Sequence, residues 1–99
     1  MRRRYVAFEV CDGKLDVYKA AASMRKKLGG DQTGVRVILY DRDTGSGLIC
    51  CAHSMVSQLK RIVLQSRIPI KILGVSGTIK SARRKFLAQP EEPQQGRNL

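Results

Sequence analysis

The runs Val35-Arg36-Val37-Ile38-Leu39-Tyr40-Asp41, Asp43-Thr44-Gly45-Ser46-Gly47 and Leu48-Ile49-Cys50-Cys51-Ala52 decide how this chain must fold. The first is rich in β-branched and aromatic residues and reads as a strand over 35–41. The second is made of turn formers, so the chain doubles back as a hairpin. The third is the longest uninterrupted apolar stretch in the sequence. A strand with one face in water alternates apolar and polar residues. This one does not, so both of its faces are covered and it is central in a sheet.

Working outward, Lys14 to Leu28 carries an apolar stripe at Val17, Ala21, Met24 and Leu28, which predicts a helix that Gly29-Gly30 ends. Ahead of it, Arg3 to Val10 alternates, with Val6, Phe8 and Val10 on one side and Tyr5, Ala7 and Glu9 on the other. That is a strand, and Asp12-Gly13 turns the chain after it. Beyond the hairpin, Ser54 is placed to cap a helix with Met55 or Val56, Leu59, Ile62 and Val63 facing inward. Ile68 to Val75 is a fourth strand, and its Pro69 and Lys71 suit an edge. The order β-α-β-β-α-β predicts an α+β, ferredoxin-like (RRM-like) sandwich, with strands one and three central.

One more element follows. Ser76-Gly77 makes a turn, Thr78 is the expected N-cap, and Ile79, Ala82, Phe86 and Leu87 form one apolar stripe. Lys80, Arg83, Arg84 and Lys85 fill most of the remaining surface, giving an added C-terminal basic helix. The sheet face away from the two main helices is available to bury its stripe. Residues 1–88 are expected to form a single domain, and 89–99, rich in Pro, Glu, Gln and Gly, a disordered tail.

Charge then bounds the function. Nineteen Lys and Arg face eight Asp and Glu, a formal net charge of +11. The tail holds Glu91, Glu92 and Arg97, so the body carries more positive charge still. An apolar content of 42% excludes a disordered chain, so this excess sits on a folded body that a polyanion would neutralise. Backbone N–H groups of Ser76, Gly77 and Thr78 at a helix start, followed by four cations, suit a phosphate backbone. Arg2, Arg3 and Arg4 are a second candidate grip. Arg25-Lys26-Lys27 closes the first helix, where cations complement the helix dipole for structural reasons.

Other chemistries find little support. Cys50 and Cys51 are neighbours on a strand and point to opposite faces, so with Cys11 and His53 they fall short of a zinc set. Asp41 to Gly45 lacks the later ligands of a calcium loop. His53 has no carboxylate nearby to complete a nucleophile–base arrangement. No catalytic or metal-ligating residue is assigned. With three Tyr, two Phe and no Trp, the chain lacks the clustered strand aromatics of an RRM, so backbone recognition is favoured over base reading. No apolar run is long enough to span a membrane, and an odd number of cysteines suits a reducing compartment.

Three blocks carry a family resemblance: Arg4-Tyr5-Val6-Ala7-Phe8-Glu9, Gly47-Leu48-Ile49, and Leu73-Gly74-Val75-Ser76-Gly77-Thr78-Ile79-Lys80 through Arg83-Arg84-Lys85-Phe86-Leu87. Together they resemble ribonuclease P protein component 2, the small α/β subunit of the archaeal and eukaryotic ribonucleoprotein that removes 5′ leaders from precursor tRNA. Cys50 stands where the family usually continues into an arginine, so no contact is carried over there. The resemblance implies a non-catalytic subunit that binds ribonuclease P RNA beside ribonuclease P protein component 3 and the other protein subunits. Precursor tRNA is met indirectly. It implies no cofactor on the protein, with Mg2+ held by the RNA. The short body looks archaeal, implying a cytoplasmic place rather than the nucleus of a eukaryotic member. The alternatives are a basic RNA-binding domain of another ribonucleoprotein and a small-molecule regulatory module, and the latter would not need so cationic a body.

Overall fold

The run Leu48–Ala52 is buried residue by residue, as a strand covered on both faces must be. The computed structural model describes residues 2–87. The expectation of a disordered tail falls outside them. Four strands, β1 (Arg3–Val10), β2 (Arg36–Asp41), β3 (Ser46–Ala52) and β4 (Ile70–Ser76), form one antiparallel sheet in the order β2-β3-β1-β4. Helix α1 (Val17–Leu28) links β1 to β2, and α2 (Val56–Gln65) links β3 to β4. Helix α3 (Ile79–Ala82) and a π-helical turn over Arg83–Leu87 follow β4. The fold is α+β, and its strand order puts β1 and β3 in the centre.

Two apolar clusters lie on opposite faces of the sheet. Val6, Phe8, Ile49 and Cys51 meet Val17, Ala21 and Met24 of α1 and Leu59 and Val63 of α2. On the other face Ala7 and Leu48 meet Ala82 of α3, with Tyr5, Ile38, Leu39, Leu73, Phe86 and Leu87 packed around them. Both edge strands are bulged. Ile38 is the extra residue between the pairs Val37↔Ile49 and Leu39↔Leu48, and Leu73 between Ala7↔Gly74 and Phe8↔Ile72. Each bulge shifts the alternation by one, so Ile38 and Leu39 both serve the α3 face while Tyr40 returns to the other. There it stacks on Phe8 with ring centroids 6.1 Å apart.

The structure corrects several boundaries. Helix α1 starts at Val17, not Lys14, because the Asp16 carboxylate accepts from the N–H groups of Tyr18 and Lys19 and caps the helix there. Ser54 caps nothing: His53–Met55 is a 3-10 turn, and α2 starts from Met55 without a side-chain cap. Strand β4 runs to Ser76, so that residue ends a strand instead of opening a turn. The basic segment is not one regular helix. Thr78 caps it as expected, its Oγ1 accepting from Ser81 N–H, but only four residues are α-helical before the wider turn begins. Ile79, expected inward, is 37% exposed.

Candidate nucleic-acid interface

Three of the six carboxylates among the described residues are engaged in making the backbone turn. Asp12 accepts from Lys14 N–H, Asp16 caps α1, and Asp41 accepts from Asp43 N–H. These sites belong to one end of the sheet, where Glu9 and Asp41 both pair with Ser46. Asp43 lies in the adjoining hairpin. The opposite end is built from the pairs Arg3↔Ala52, Arg4↔Cys51, Arg36↔Cys50 and Tyr5↔Ser76. It collects the start of β1, the start of β2, the C-terminus of α1 and the approach to α3. The one carboxylate there among the described residues is Asp31, 3.9 Å from Arg25 Nε, and this is their only ion pair.

Within that end the cations differ. Arg25 donates to the Val35 carbonyl at 3.1 Å and Lys27 to Ser66 Oγ at 2.9 Å, which fits the structural reading of the α1 terminus. The Arg2 carbonyl accepts from His53 N–H at 2.8 Å, fastening the first described residue to the end of β3. Arg4 Nη1 donates to the Arg3 carbonyl and lies 3.8 Å from where a Cβ on Gly77 would stand. The sheet therefore carries the N-terminal arginines to the turn at 76–78. Sequence separation hides this, since only the β1–β4 pairing joins the two.

The turn itself is less open than its sequence suggests. Ser76 is buried, its Oγ faces Thr78 N–H at 3.5 Å, and Thr78 Oγ1 takes up the Ser81 N–H. Two of the N–H groups near the helix start are thus directed inside the chain. Gly77 is exposed, as are Lys80, Arg83, Arg84 and Lys85. Those cations are held in place from beneath, where the Phe86 ring lies directly over Gly74. A Cβ at position 74 would overlap the ring, so the close seat of this segment needs glycine there.

Sequence reasoning missed Arg36. It is exposed at the head of β2 and pairs with Cys50, which places it on the α3 face beside Arg3 and Tyr5. Its signal was its alternation with the buried Val35 and the inward-packed Val37. The thiols are not reactive features of this surface. Burial, with a smaller contribution from Cys50, raises the Cys51 thiol from 9.0 to about 11, and Cys50 Sγ donates to the Gly34 carbonyl at 3.3 Å. No group of three His, Cys, Asp or Glu among the described residues could hold a metal ion, and no described helix is long and apolar enough to cross a membrane.

Fold and surface together define a small basic α+β domain in which one end of the sheet collects many cations against a single described carboxylate. No protein-family model matches the chain. It is 33% identical over 100 positions to ribonuclease P protein component 2 of Methanosarcina mazei, covering 87% of this chain and 84% of that one. Its namesakes from Pyrococcus abyssi and Pyrococcus furiosus are 30% and 33% identical over 102 positions, covering 89% of this chain and 86% and 85% of theirs. The chain belongs to the ribonuclease P protein component 2 family.

Proposed function

We propose that this protein is a non-catalytic subunit of ribonuclease P that binds the catalytic RNA with the cationic end of its sheet. The RNA would hold the Mg2+ ions and cleave the 5′ leader of precursor tRNA, while the protein neutralises phosphates so that the RNA can close around its metal site. Arg2, Arg3 and Arg4 on one side of the turn, and Lys80, Arg83, Arg84 and Lys85 on the other, supply the contacts. Gly77 lets the backbone approach. Ser76 and Thr78 shape the turn between them. Ribonuclease P protein component 3 and the other subunits complete the assembly.

The observation that supports this reading best is the separation of charge. At one end carboxylates cap and turn the chain beside Lys14, Arg42 and Lys71, whereas at the other the cations face a single described carboxylate, Asp31. A regulatory module for small molecules would have no use for that polarity. Filter binding of the full chain to ribonuclease P RNA across a salt series tests it. Neutralising about four to six phosphates should give a log–log slope of roughly −3 to −5. A slope near zero would sink the reading.

A further inference from the structure

The α3 face carries one aromatic ring from its strands, and its surroundings are unusual. Phe8 and Tyr40 stack on each other against α1 and α2, so Tyr5 is the only strand aromatic on this side. It stands in a row that crosses the whole sheet: Arg36 pairs with Cys50, Cys50 with Tyr5, and Tyr5 with Ser76. Directly opposed residues share a face with Cβ atoms about 5 Å apart. Arg36, two strands over, is thus about 10 Å from Tyr5, within reach of an extended guanidinium. Arg3 is two residues before Tyr5 on the same strand and so projects from the same face. Cys50, between the ring and Arg36, is small and buried and brings no charge of its own.

Within the row Cys50 and Ser76 are buried, and Tyr5 and Arg36 are the side chains that reach solvent. Ala82 sits on Ala7 and Leu48, one step further along the sheet, and Phe86 sits on Gly74. Tyr5 packs against the edge of that cluster and keeps part of its surface in solvent, while Arg3 and Arg36 are exposed. We infer that this row is a stacking site for one unpaired RNA nucleotide, with Tyr5 as the platform and Arg3 and Arg36 holding the phosphates on either side. It rests on the RNA-binding reading above and deepens it. Composition argued against base contacts because strand aromatics are few. A single platform needs no cluster, because every base has a π-face and phosphate contacts supply the remaining affinity. The exposed Tyr18 lies in the first turn of α1 at the opposite end of the sheet and has no part in the row.

The chain has no Trp and three Tyr, so the Tyr5 share of the fluorescence is read as the difference between wild type and Tyr5→Phe. The probes are a hexameric oligouridylate and a blunt RNA duplex, each titrated into the full chain at several salt concentrations. Oligouridylate should quench the wild-type signal. Tyr5→Phe should bind it within about 2-fold of wild type with the quenching lost, because a phenyl ring still stacks. Tyr5→Leu keeps an apolar side chain over Ala7 but should weaken oligouridylate binding by about 5- to 100-fold with an unchanged salt slope. Arg3→Ala and Arg36→Ala should each lower that slope by about 0.7. Duplex binding should be indifferent to Tyr5. Quenching that persists in Tyr5→Phe, wild-type affinity in Tyr5→Leu, or an equal loss on the duplex would each overturn the site. Salt-insensitive binding of both probes would overturn the RNA-binding reading itself, whereas salt-dependent binding indifferent to Tyr5 overturns only the stacking site.

Discussion

At Gly74 the backbone of an edge strand comes so close to Phe86 that no side chain fits between them. Adding one methyl must push the ring away or shift the strand, an overpacking that costs about 1–3 kcal/mol. Gly74→Ala should lower the urea midpoint by that amount, and the double variant with Phe86→Ala should lose less than the sum of the two single changes. Phe86 is only half-buried, so Phe86→Ala alone falls below the cost of deleting a fully buried ring. Cys51 makes a pH prediction. The folded chain keeps the thiol protonated to about pH 11, while the unfolded chain releases the proton near 9.0. Above pH 9 the native state binds more protons than the unfolded one, so stability falls as pH rises toward 11. Urea melts at pH 8, 9.5 and 11 check the direction, and Cys51→Ser should flatten the trend.

Elements, not single residues, gather the cations. The strand register joins the start of β1 to the end of β4, and the seat of Ala82 and Phe86 fixes the segment that follows. Arg83, Arg84 and Lys85 are exposed and lie in a π turn whose packing comes from Phe86 and Leu87. Replacing all three with Ala should therefore leave the melting midpoint nearly unchanged. RNA affinity should fall, and the salt slope should shrink by about one for each phosphate contact removed. If the variant unfolds or binds with an unchanged slope, these side chains belong to the scaffold. The widened turn itself was not legible beforehand: its residues fit a regular helical stripe, and only the gap over Gly74 shows where the ring must go.

The whole molecule is unevenly charged: most described carboxylates share one end of the sheet with Lys14, Arg42 and Lys71, while the other end sets a single carboxylate, Asp31, among many cations. Such a distribution orients the protein on a polyanion before any contact forms, with the β2–β3 hairpin pointing away. Among the described residues no group of three His, Cys, Asp or Glu could hold a metal ion. The purified, RNA-free protein should leave precursor tRNA intact with Mg2+ present, as read on a denaturing gel. Cleavage at the mature 5′ end by that preparation would contradict the proposed division of labour.

The sequence by itself determined the order of elements, the central place of Leu48–Ala52, and the family, because periodicity and local turn chemistry act over a few residues at a time. It also marked Lys80, Arg83, Arg84, Lys85 and the N-terminal arginines as candidate phosphate contacts. Only the tertiary structure decided that Arg4 meets the Gly77 turn, that Arg36 and Tyr5 share one row, and that Ser76 is buried. Those facts depend on pairing between segments some 70 residues apart and on two bulges that reset the alternation of the edge strands. A bulge moves every later side chain to the other face while leaving no mark in composition, so which groups face which partner is settled by packing.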